Sequence, residues 1–182
     1  MSKNVLIIST SLRAHSNSDA LASEFASGAV EAGHNVELTS LRGKELAYCV
    51  GCLGCQTRKD GHCFMHDDAD ALATKIGAAD VVVFATPVYY YGMSAQMKTV
   101  LDRANPLLCM DYAFRDVYLL AAAAKEGADT FERTRQGLMG WIDCFKNSRL
   151  AGTVFAGGLT GPGEAHQDIT SLEAAYNMGK GI

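Results

Sequence analysis

STSLRAHSNS, residues Ser9 to Ser18, follows the apolar run Val5-Leu6-Ile7-Ile8 and leads into a segment of helical spacing. A continuous apolar run of strand length suits the centre of a parallel sheet covered on both faces. After such a strand the chain must turn. A helix that starts at the turn offers unpaired backbone N–H groups and the positive end of its dipole to an anion. Ser9, Ser11, Ser16 and Ser18 bring hydroxyls to this turn, Asn17 an amide and Arg13 a fixed cationic fork. Two readings are open: a phosphate-binding loop, or a helix start that Ser16, Asn17 and Ser18 merely cap. No G-x-G-x-x-G follows the strand and no G-x-x-x-x-G-K-[ST] occurs anywhere, which argues against a dinucleotide fold and a P-loop NTPase.

Outward from this turn the chain alternates strands and helices. Leu21, Phe25 and Val30 recur at helical spacing up to Gly33, and Asn35 to Leu41 reads as a second strand with Val36, Leu38 and Leu41 as its apolar positions. Gly43 to Asp67 is a long loop of the kind that carries function. Asp67 and Asp68 can cap a helix through Leu72 and Ile76, followed by a third strand from Val81 to Ala85. Thr86 to Gly92 (TPVYYYG) joins that strand to a helix from Ser94. Val117 to Ala124 reads as a fourth strand, Thr130 to Phe145 as a helix, Gly152 to Ala156 as a fifth strand, and Glu164 to Met178 as a closing helix. The expected architecture is α/β, a doubly wound five-stranded parallel sheet of order 2-1-3-4-5 in one domain spanning residues 1–182. Ligands of such sheets bind outside the carboxyl ends of the strands, where the loops after strands one, three and five converge.

The 182 residues are 48% hydrophobic, enough for one buried core. A formal charge of −4 with scattered basic residues argues against nucleic acid and anionic membrane surfaces as partners. Membrane spans of about 18 to 20 apolar residues are not found, and a cytoplasmic location is the expectation. Four of six cysteines, Cys49, Cys52, Cys55 and Cys63, fall in the long loop. In a reducing compartment such clustering points to metal binding or redox chemistry rather than disulfides.

The first loop resembles the G-S-P-R-x-x-G-N-T motif of the NADPH-dependent FMN reductase family, with Ser11, Arg13 and Asn17 matching and Ser18 in place of Thr. Thr10, Leu12 and Ser16 depart from it. The stretch T-P-V-Y-Y-Y-G-M-S-A-Q-M-K-x-x-x-D-R resembles the family's S-P-V-Y block through Ser94, Lys98, Asp102 and Arg103, the last two read as structural. Gly157 and Gly158, after Ala156, match its T-G-G turn. The resemblance runs over essentially the whole chain and implies a flavodoxin-like fold. It also implies bound FMN, NAD(P)H as co-substrate, a small-molecule electron acceptor and a homodimer or homotetramer. FMN would then be held by Ser9, Ser11, Arg13, Ser16, Asn17 and Ser18, by Pro87, Val88, Tyr89, Tyr90, Tyr91 and Gly92, and by Ala156, Gly157 and Gly158. Taken alone, the tyrosine loop has the alternative reading of a Tyr-rich surface turn, such as a dimer contact. The chemistry would reside on the flavin, so no catalytic acid, base or nucleophile is assigned.

Cys49-x2-Cys52-x2-Cys55-x7-Cys63 resembles the compact motif of the iron-sulfur flavoproteins, a branch of the same family with a [4Fe-4S] cluster. Zinc, with His62 or His66 nearby, and a metal-free role as packing or reactive thiols are the alternatives. Three functions follow: an NAD(P)H-dependent reductase passing electrons through FMN to a flavin, quinone or similar acceptor, a cluster-bearing electron carrier served by a ferredoxin-like protein, and a non-catalytic flavodoxin-fold binding module.

Overall fold

The computed structural model describes residues 1–58 and 60–182. Five parallel strands, β1 (Asn4–Ser9), β2 (Asn35–Ser40), β3 (Val81–Tyr89), β5 (Asp116–Ala122) and β6 (Arg149–Ala156), lie in the order β2-β1-β3-β5-β6. This is the expected 2-1-3-4-5 sheet. A short sixth strand, β4 (Gly92–Met93), turns back antiparallel on the end of β3. Flanking them are α1 (Asn17–Glu31), α2 (Gly54–Arg58), α3 (Asp68–Ala78), α4 (Ala95–Arg103), α5 (Ala128–Ile142) and α6 (Ile169–Lys180).

The central strands are apolar throughout because both faces are covered. Leu6, Ile8, Val82, Phe84, Val117 and Leu119 point to the side of α3, α4 and α5, while Val5, Ile7, Val81, Val83 and Leu120 point to α1 and α6. Period-two alternation thus feeds two cores from one run of residues. On the second side α1 and α6 touch backbone to backbone, since a Cβ on Gly28 or Gly179 would overlap the carbonyl of Tyr176 or Phe25. β2 is an edge strand, and Leu38, expected inside, is exposed there.

β3 runs four residues past the expected Ala85, through Pro87, which has no N–H to give a ladder. The Ala85 carbonyl accepts from Thr10 N on the β1 side. Two residues on, the Pro87 nitrogen points the same way, where β1 has ended, so no ladder bond is lost. The expected loop Thr86 to Gly92 is therefore strand, a two-residue turn and the start of β4. Tyr90 and Tyr91 take the left-handed conformations (φ 49° and 65°) of such a hairpin turn.

Candidate functional site

The turn after β1, the end of β3 and the segments at the ends of β5 and β6 meet at the carboxyl edge of the sheet around a cleft of about 140 Å³. Ser11, Arg13, Ser16, Asn17 and Ser18 form one wall, Pro87, Val88 and Tyr89 a second, and Ala122, Ala123, Ala124, Leu159 and Thr160 the remainder. The cleft is smaller than the roughly 300 to 1,000 Å³ of most small-molecule sites, so a mononucleotide-sized ligand would extend across its rim. Roomier depressions lie elsewhere, one at the opposite end of the sheet between β1, β2 and α3, where strand amino ends and not carboxyl ends are presented.

The β1–α1 turn is built to leave donors unspent. Ser16 is the residue before α1, in extended conformation (φ −69°, ψ 141°), yet its side chain makes no cap bond. Its hydroxyl instead pairs with that of Ser18 at 2.9 Å, and both are buried. The Ser16 carbonyl takes the amides of Asp19 and Ala20, so the amides of Asn17 and Ser18 have no backbone partner among the described residues. The capping alternative is thereby disfavoured. Family glycines missing from this turn are not needed, because the left-handed residue is His15 (φ 53°) and Ser16 sits where any residue fits.

Several of the expected residues act behind the cleft wall. Ser9 donates to Asp19. Asn17 donates from Nδ2 to the Gly161 carbonyl at 2.9 Å and accepts the Ala165 amide on Oδ1 at 3.0 Å, which braces the segment after β6. Arg13 Nη1 reaches the Thr160 carbonyl at 3.4 Å. Arg42, unsuspected in the sequence, donates from Nη2 to the Arg13 carbonyl (2.6 Å) and to Asp19 Oδ2 (2.9 Å), latching the turn from β2.

Of the tyrosines, only Tyr89 reaches the cleft. Tyr90 is fully exposed at the hairpin tip, and Tyr91 is drawn to α5, its hydroxyl accepting from Lys125 Nζ at 2.9 Å and its carbonyl from Thr134 Oγ1 at 3.3 Å. Gly92 pairs with Tyr89 in the hairpin. Ala156 is buried beneath the site, and Gly157 and Gly158 turn toward Lys125 and Glu126, a Cβ on Gly158 lying 2.8 Å from Glu126 Oε1. The walls at Ala122 to Ala124, Leu159 and Thr160 went unread in the sequence. The end of the fourth strand was the available signal, since it opens on the same carboxyl edge.

The four clustered cysteines border one small chamber between the long loop, the end of α4 and the turn Asn105–Cys109, with Val50, Leu53, Phe64, Met65 and Pro106 as apolar walls. None forms a disulfide. The Gly54 amide donates toward Cys52 Sγ and Asn105 Nδ2 toward Cys55 Sγ, each at 3.5 Å. Among the described residues no three His, Cys, Asp or Glu side chains converge on a single ion. A zinc ion needs its ligands about 2.0 to 2.3 Å from one point, whereas a cubane spreads its four thiolates over separate irons. Four cysteines lining one chamber match the second group in donor number and type.

Arg103, 2% exposed, ties this loop to the core. Nη1 donates to the Ala47 carbonyl (2.7 Å) and Asp67 Oδ2 (2.6 Å), and Nη2 to Asp67 Oδ1 (2.8 Å). Asp67 also accepts the Ala47 and Ala69 amides, the latter as the cap of α3. Burial works to raise the Asp67 pKa, but Arg103 and the two amides outweigh it and hold the carboxyl below its ordinary value. For Arg103 burial acts downward, and Asp67 and the neighbouring Cys63 more than reverse it. Asp102, by contrast, is a surface residue paired with Lys98.

The chain is similar to known proteins over most of its length. The family model described as NADPH-dependent FMN reductase matches residues 3–160. An iron-sulfur flavoprotein of Methanocaldococcus jannaschii is 31% identical, over 98% of this chain and 94% of that protein. One from Methanosarcina thermophila is 26% identical over 84% of this chain and 78% of its own length. Among solved structures, an azoreductase from Bacillus anthracis superposes with a TM-score of 0.74 at 20% identity over the full length of both chains, and shares the fold.

Proposed function

The chain belongs to the NADPH-dependent FMN reductase family, in its iron-sulfur flavoprotein branch, and is an FMN-dependent NAD(P)H oxidoreductase, and on that premise we propose that its cleft holds FMN for electron transfer from nicotinamide to a flavin, quinone or similar small acceptor. One observation carries this reading: the uncapped start of α1, where the buried hydroxyls of Ser16 and Ser18 bond each other beside two amides that have no partner among the described residues, at the carboxyl end of β1. Ser11, Ser16, Ser18 and these amides would take the phosphate, with Arg13 adding charge at the rim. Pro87, Val88 and Tyr89 offer a stiff apolar wall to the rings, and Ala122 to Ala124 permit close approach by their small size. FMN, when bound, supplies hydride acceptance and delivery of electrons in one or two steps. Asn17 and Arg42 hold the walls in place. A non-catalytic module does not fit the family membership.

The test is titration of FMN into flavin-free protein, followed by anaerobic addition of NADPH. Tight stoichiometric binding and rapid bleaching are expected. Ser16→Ala combined with Ser18→Ala should weaken binding by more than about 100-fold, from loss of two hydrogen bonds to a charged group at about 1.5 to 3 kcal/mol each. Binding that is unaffected by both changes would overturn the site.

The ring of Cys49, Cys52, Cys55 and Cys63 supports a second centre, a [4Fe-4S] cluster, with its N–H···S contacts as the favouring observation. The chamber lies at the carboxyl end of α4. A ferredoxin-like donor is then an alternative to nicotinamide. Iron and acid-labile sulfide of anaerobically prepared protein decide this. The small volume of the cleft, and separately the exposed Val50 and Leu53 at the cysteine chamber with Leu108 and Met110, support assembly into a homodimer or homotetramer, measurable by light scattering. Among the described residues no helix is long and apolar enough to cross a membrane, and the free thiols support a reducing cytoplasmic setting.

A further inference from the structure

Arg103 has a donor that its structural role does not use. Its two terminal nitrogens are committed to Asp67 and the Ala47 carbonyl. Its Nε–H is one of two buried side-chain polar atoms without a partner among the described residues, the other being Ser148 Oγ. A buried cationic N–H is seldom left unpaired, because desolvation is then uncompensated. Arg103 lines the cysteine chamber beside Cys63, and among the described residues of the chamber's walls it is the one cation, the other charged residue there being Asp102. Cys52 and Cys55 already have N–H donors from Gly54 and Asn105, so Arg103 stands where the third sulfur would receive its own.

Resting on the cluster reading above, we propose that Arg103 is the outer donor that sets the reduction potential of an iron-sulfur group on the four cysteines, through its free Nε–H and its charge beside Cys63. Adding one electron makes such a group more anionic. A fixed cation and a free N–H donor in the wall of the chamber stabilise that form over the oxidised one and raise the potential. Asp67 moderates the effect by neutralising part of the charge while fixing the guanidinium plane.

The test is a potentiometric titration of the intact anaerobic protein, followed by electron paramagnetic resonance after iron and sulfide are quantified. Arg103→Lys keeps the charge and the Asp67 partner but lacks the Nε–H. Its reduction equilibrium should fall about tenfold, about 59 mV for one electron. Asp67→Asn should shift the potential the opposite way, which a purely structural pair would not do. Should these variants fail to fold, wild-type protein labelled with nitrogen-15 arginine provides the second measurement. A hyperfine coupling from an arginine nitrogen to the reduced cluster is expected. Protein without iron and sulfide would overturn the cluster reading and this inference with it. A cluster present with no arginine coupling, or with potentials unmoved in both variants, would overturn this inference alone.

Discussion

Removing the Asp67 carboxylate should be among the most costly single changes outside the apolar core. Asp67→Ala strips a guanidinium that is 1% exposed at its side chain of the carboxylate it pairs with, and breaking a buried pair on one side costs about 3 to 5 kcal/mol. The same change removes the cap of α3, worth about 1 kcal/mol. The Ala47 amide is near solvent and regains water, adding little. Since these losses share one side chain and do not add fully, the expected sum is about 4 kcal/mol, roughly a thousandfold in the folding equilibrium. Asp102→Ala, which breaks an exposed i,i+4 pair with Lys98, should cost no more than about 1 kcal/mol. Urea unfolding followed by far-ultraviolet circular dichroism, at fixed protein concentration and in reductant, compares the two. Equal losses for both variants, or less than about 1.5 kcal/mol for Asp67→Ala, would refute the reasoning from burial.

The same carboxylate predicts a pH dependence. Its pKa is depressed in the fold, so its contribution is present above the unfolded value of about 3.9 and is lost as pH falls through the lower folded value. Asp67→Asn should flatten the acid limb of a stability profile while leaving the neutral region parallel. Gly28→Ala gains about 1 kcal/mol of helix propensity, but its methyl would meet the Tyr176 carbonyl, and overpacking of about 1 to 3 kcal/mol should leave a net loss by calorimetry. Ala123→Leu, in the cleft wall, should abolish FMN binding in fluorescence titration while unfolding stays within about 1 kcal/mol of wild type. Asn17→Ala should weaken FMN binding about tenfold by freeing the segment around Gly161 and Ala165, a loss that added FMN overcomes in the same titration.

The apolar runs Val5 to Ile8 and Val81 to Ala85 determined the doubly wound sheet by themselves, because strands buried on both faces leave a continuous hydrophobic signature that no exposed segment shares. The phosphate-loop candidate was legible for a related reason: strand, hydroxyl-rich turn and helix are consecutive in sequence, so spacing alone places their donors together. Contacts between distant segments left no such local trace. Only the tertiary structure could show that Asn17 braces the segment after β6, that Arg42 latches the turn, and that Ala122 to Ala124 form a wall. The tyrosine loop carried no sign that two of its rings leave the cleft, because that depends on the two left-handed residues of a hairpin and on Lys125 from another element. Arg103 read as structural from the sequence, but only the fold set it between Asp67 and Cys63, since burial and charge pairing belong to three-dimensional neighbours and not to chain order.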